Sequence, residues 1–252
     1  NFPVHRVFFS SNRELKKEFI MSSPAVSKEQ KKDKKFLLIV IAASCLVAAM
    51  FGSRNSLSLT IEGIDQSQTL NYLQISFAFA LGQLVVGAIS PFAGMIADKY
   101  GSGKTLTVGI LLGLLGIILI PYSTTAFTLS ISLGVISSIG LGVAGLPVVL
   151  DSVNRLIPQN KVGMAFGLVN AGQSLGQLIL APLAGFIIVN FGWILCILFL
   201  CTVLLLVLPF SFTLRSRTDT KQPSSVQTKS LSETLRIAFN TPSYIYLVVG
   251  FF

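Results

Sequence analysis

The chain is 252 residues long, 52% hydrophobic and only 12% charged, with a mean hydropathy of +0.75 and a formal net charge of +9. A soluble domain carries roughly 25% charged residues, so this composition excludes one and points to an all-α protein whose solvent is the lipid bilayer. The basic excess does not mark a nucleic-acid partner, because the Lys and Arg residues sit at the ends of apolar runs without interleaved aromatics.

In chain order, residues 1–35 read as a basic tail, disordered and drawn toward the membrane surface. Residue 1 is Asn, and Met21 is a natural start. Six apolar runs follow: Phe36–Leu59, Tyr72–Ala97, Thr105–Tyr122, Phe127–Leu150, Val162–Val189 and Gly192–Phe212. A helix needs about 20 residues to cross ~30 Å of hydrocarbon, so residues 36–212 predict a bundle of six transmembrane helices. Residues 213–243 are rich in Ser, Thr, Gln and Lys and predict a loop between two halves. Within it, Ser230 to Glu233 fits a capping box opening a short surface helix. A seventh run opens at Tyr244 and is cut off at Phe252. So short a helix rises only ~13 Å and cannot cross, which predicts a fragment whose C-terminal half is missing.

Charge sets the expected orientation. With the N-terminus inside, all but one of the 19 Lys and Arg residues fall in inner segments, and only Arg54 lies near the outer face. The positive-inside rule describes this asymmetry and predicts a multi-pass protein of the cytoplasmic membrane (inner or plasma). Cys45, Cys196 and Cys201 lie inside apolar runs as packing residues and give no disulfide framework. The first run is too long for a cleavable signal peptide and lacks a clear small-residue cleavage site.

The chain repeats itself. Leu81-Gly82-Gln83-Leu84, Pro91-Phe92-Ala93-Gly94-Met95-Ile96 and Gly101 match Leu175-Gly176-Gln177-Leu178, Pro182-Leu183-Ala184-Gly185-Phe186-Ile187 and Gly192. The halves, 36–122 and 127–212, each hold three runs, so the copies are upside down relative to each other. A duplicated unit of membrane-spanning helices is a transporter design.

One loop carries a family resemblance. Gly94-Met95-Ile96-Ala97-Asp98-Lys99-Tyr100-Gly101, followed by Lys104, resembles the signature loop of the major facilitator superfamily. Gly94 permits close helix approach, Asp98 can face a helix N-terminus and Gly101 permits a tight turn. The resemblance implies a latch, with Lys104 or Lys99 paired to Asp151 at the inner end of the fourth helix. It also implies half of a twelve-helix fold built as a three-plus-three inverted repeat. The second copy has Val189 and Asn190 where Asp98 and Lys99 stand, so the charges occur on one copy alone.

The stretch from Ile157-Pro158 through Lys161-Val162-Gly163 to Phe191-Gly192-Trp193 is similar to the monocarboxylate and oxalate–formate branch. Gly140-Leu141-Gly142 is similar to the family's second motif, but Ile136 stands where proton-coupled drug exporters carry arginine. Gly103-Lys104-Thr105 imitates the end of a P-loop, but Asp98 replaces the required glycine and a membrane helix replaces the required strand.

Polar side chains at membrane depth mark candidate contacts. Asn170, Gln173, Ser174 and Gln177 share one helical face, Gln83 is the repeat partner of Gln177, and Gln74 lies nearer the outer side. Interhelical hydrogen bonding is the alternative role for them. Arg54 can attract an anion or snorkel to outer headgroups. The pattern predicts a transporter for a small-molecule substrate by alternating access, and the branch resemblance implies a mono- or dicarboxylate as that substrate. The alternatives are a non-transporting sensor or assembly protein on the same scaffold, or an inactive fragment. No cofactor, metal or catalytic residue is expected: His5 is the only histidine, and no intramembrane acid pair exists.

Overall fold

The computed structural model describes residues 23–67 and 70–214. The earlier tail, the capping box at Ser230 and the seventh run at Tyr244 lie outside the described residues. Among the described residues there are six helical segments long and apolar enough to cross a membrane. They are α1 (Lys34–Asp65), α2 (Tyr72–Tyr100), α3 (Ser102–Tyr122), α4 (Ala126–Leu156), α5 (Gln159–Phe191) and α6 (Trp193–Thr213).

The helix that contains α1 begins at Ser23, so Ser23 to Lys35 is helical rather than part of an irregular tail. Pro24 sits in its first turn, where a missing N–H costs nothing, and Ala25, Lys28, Glu29 and Gln30 have high helix propensity. At the opposite end α1 tightens into a 3-10 turn at Ser58–Thr60 before continuing through Ile61–Ser67.

The duplication is visible in the backbone. Gly101 and Gly192, which occupy matching places in the two copies, are the only positive-φ residues among those described, at 88° and 85°. Each closes a long helix by donating its N–H back one turn, Gly101 to Ala97 O at 2.9 Å and Gly192 to Ile188 O at 3.0 Å. Each also opens the next helix by accepting from the residue four places ahead, Thr105 or Cys196. An L side chain is strained at such a φ, so glycine is what lets one helix turn directly into another. Pro91 and Pro182, again matched, lie inside α2 and α5.

Packing follows the same exchange. α1 packs on α5 as α4 packs on α2; α1 packs on α6 as α4 packs on α3; α3 and α6 touch each other. Swapping the two triplets of helices leaves this set of neighbours unchanged. The seams are built from small residues. A Cβ added to Gly52 would come within 2.7 Å of Gly176 O, and one at Gly172 within 2.7 Å of the Ser44 Cβ. In the partner seam, a Cβ on Gly109 would meet Ala144 at 2.8 Å, and Gly113 and Gly140 face each other. Between membrane helices, where no water drives apolar association, close backbone approach and dispersion supply the adhesion.

α4 departs most from a simple rod. It contains a π-helical stretch at Ser130–Ser137 and breaks at Gly145 before a last α-helical segment, Leu146–Leu156. Pro147 cannot donate a backbone hydrogen bond. The chain instead turns tightly, with the N–H groups of Val148 and Val149 both donating to Gly145 O at 3.1 and 3.4 Å.

Candidate functional site

The broken helix helps to enclose a cavity. It holds about 330 Å³ and lies between α1, α2, α4 and α5. Met50, Val86, Leu141 and Pro147 supply apolar wall; Arg54, Asn55, Gln83, Ser90, Gln173 and Gln177 supply polar atoms. Arg54 is the only charged residue on this wall among those described. Its Nη2 donates to Gln83 Oε1 at 2.6 Å, tying α1 to α2 across the cavity. A guanidinium stays protonated and carries several N–H donors in a plane. One neutral acceptor therefore leaves both charge and donors available to a ligand. Gln173 and Gln177 stand one turn apart on α5 and contribute amides from the facing wall.

Four of the six residues expected to contact substrate thus share one cavity: Arg54, Gln83, Gln173 and Gln177. Gln74 does not join them. It is the third residue of α2, where its Oε1 accepts from the Asn71 backbone N–H at 3.1 Å, one half of a capping box. Asn170 also stays apart, its Nδ2 donating to Phe166 O one turn back at 2.9 Å. Sequence reasoning missed Ser90 and the break at Gly145–Pro147. A glycine two residues before a proline inside an apolar run was the available signal for the break.

A second polar cluster lies at the end of the bundle where the basic residues gather. Arg155 bridges two acids. Its Nε donates to Asp151 Oδ2 at 2.8 Å, and its Nη2 pairs with Asp98 Oδ1. Asp151 and Arg155 are one helical turn apart on α4, the spacing at which opposite charges meet, while Asp98 ends α2. The arrangement corrects the expected pairing of Asp151 with Lys104 or Lys99. Lys104 is exposed, and the Lys99 ammonium instead lies 5.4 Å from the centroid of its neighbour Tyr100. Gly101 makes the expected turn, but among the described residues nothing lies within 4 Å of a Cβ placed on Gly94. The bridge itself is half exposed, with side-chain exposures of 40% for Arg155 and 62% for Asp98. An open pair of this kind adds about 0.2–1 kcal/mol, so it fits a contact that forms and breaks.

Six membrane-length helices, four of them lining a polar cavity, define a multi-pass, all-α membrane protein. The chain belongs to the Major Facilitator Superfamily, whose family model matches residues 37–252. It is 28% identical over 162 residues to the riboflavin transporter RibZ of Clostridioides difficile, covering 64% of this chain and 35% of that protein. It is 26% identical over 174 residues to mouse monocarboxylate transporter 11, covering 69% of this chain and 38% of the relative. The inward-open xylose transporter XylE from E. coli superposes with a TM-score of 0.60 at 15% identity, over 71% of this chain and 48% of XylE. That likeness shows the fold. The chain thus spans well under two thirds of each of these three proteins. The relatives are transporters rather than enzymes.

Proposed function

We propose that the whole protein is a secondary transporter of small carboxylates and works by alternating access. The observation that carries the reading is the guanidinium of Arg54 in a cavity wall that is otherwise uncharged among the described residues. A carboxylate would take bidentate hydrogen bonds from it while its apolar body lies against Met50, Val86 and Leu141. The monocarboxylate relative fits the same chemistry.

Alternating access needs a second half to rock against. In the apolar windows of α2 and α5 only 17% of residues are buried, against 67% in α4. Gly87 and Gly94 on α2, and Gly163, Gly167 and Gly185 on α5, have nothing within 4 Å of an added Cβ. These two helices are our candidates for the face that meets the second six-helix half. In this reading the basic end lies in the cytosol, the protein sits in the cytoplasmic membrane, and the Asp98–Arg155–Asp151 bridge is the latch that opens as the halves move. Lys104 flanks that latch without forming it.

Uptake of a panel of short radiolabelled monocarboxylates, formate to butyrate, by vesicles holding the full-length protein tests the proposal. Arg54→Gln should cut uptake by about 100-fold or more, since the substrate's charged hydrogen-bonding partner is lost. Undiminished uptake by the folded variant would contradict it.

A further inference from the structure

We infer that Gln83 is the positioning residue of the cavity: its side-chain carbonyl fixes the Arg54 guanidinium and is exchanged for a substrate carboxylate oxygen, and its neutrality keeps the cavity cationic. This rests on the carboxylate reading above. Among the described residues, Gln83 Oε1 is the side-chain acceptor that Arg54 takes, at 2.6 Å. Packing does not demand an amide there, because the Gln83 side chain is exposed toward the cavity. Its chemistry is what distinguishes it from the alternatives. An apolar residue would leave the guanidinium unanchored. A glutamate of the same length would form a charge-assisted pair, cancel the charge and occupy the donors an anion needs. The amide does neither: it accepts one N–H, leaves the positive charge standing, and binds more weakly than a carboxylate, so an incoming anion displaces it.

The repeat supports a shared role for the amides. Gln177, the partner of Gln83 in the second copy, enters the same cavity from α5 with Gln173 one turn away. The duplicated Leu-Gly-Gln-Leu segment therefore delivers two glutamines to one site from opposite walls. Among the described residues only the first is hydrogen-bonded to Arg54, and the α4 residues that line the cavity, Leu141 to Pro147, bring no second cation.

The test uses the full-length protein in vesicles, the formate-to-butyrate panel, and the variants Gln83→Glu, Gln83→Met and Arg54→Gln. Gln83→Glu should raise KM at least about 50-fold, and Gln83→Met about 3- to 10-fold with Vmax within about twofold of wild type. A purely structural role for Gln83 would lower Vmax and the melting temperature in both variants and leave KM in place. Wild-type KM in Gln83→Glu, or a loss in Vmax rather than KM in Gln83→Met, overturns the inference. If Gln83→Glu does not fold, the KM-against-Vmax split of Gln83→Met decides alone. Arg54→Gln separates the two levels. Its retention of affinity, or a wild type that transports none of the panel, overturns the carboxylate reading itself. Loss in Arg54→Gln beside wild-type behaviour in Gln83→Glu overturns the role of Gln83 only.

Discussion

The two copies of the repeat share a backbone and differ in chemistry. Both turn one helix into the next through a positive-φ glycine, Gly101 or Gly192, and both carry an internal proline, Pro91 or Pro182. The first copy ends in Asp98 and Lys99 and binds Arg155; the second has Val189 and Asn190 at those places. Geometry was inherited by both, and charge was kept at one end. The difference follows the bias that gathers Lys and Arg at one end of the bundle. A duplicated scaffold can thus become directional without changing its fold.

Breaking the seams that both copies need should have the largest effect. Gly176→Val drives a side chain into the backbone of Ala48 and should destabilise the bundle by about 3 kcal/mol or more. Thermal unfolding of the purified protein in detergent would show it. Gly185→Val, in the same helix but with nothing within 4 Å, should leave the six-helix half close to wild type by the same measurement. Next in size, Gly101→Ala and Gly192→Ala should each cost about 1–3 kcal/mol and cost similar amounts, because each forces an L residue into a φ near +85°. Unequal costs would show that the turns are not equivalent.

The smallest effects on stability should come from the charges that distinguish the copies. Asp98→Asn leaves Arg155 paired to Asp151 and should lower stability by less than about 1 kcal/mol. If the latch reading holds, its transport rate changes far more than its melting point, and measuring both on one preparation separates the roles.

Long-range patterns in the sequence translated well into structure, and local competition between partners did not. Six apolar runs became six helices because length and apolarity alone decide bilayer crossing. Gln83 and Gln177 met in one cavity because the duplication carried their positions with it. The end of α4 was not legible. The spacing of Asp151 and Arg155, one turn apart in the segment after the break, already allowed their pairing. But the π-helical stretch and the break at Gly145 reset the phase of α4, so a 3.6-residue period could not show that Arg155 also reaches Asp98 on α2. Gln74 shows the other failure. Its polar group reads the same whether it faces a cavity or its own helix start, and here Asn71 N–H, three residues away, takes it. Ser90 escaped notice for a related reason, since a lone hydroxyl that donates to Val86 O one turn back resembles any satisfied serine.

Alternating access by an inverted repeat requires the chain to thread the bilayer with its basic end inside. Single cysteines at Lys104 and Glu62, placed in a background where Cys45, Cys196 and Cys201 are replaced by Ala, probe it with a membrane-impermeant maleimide on sealed cells. Position 62 should label from outside, and position 104 only after the membrane is opened. Labelling of both from the same side would contradict the inverted repeat, the orientation and the transport mechanism together.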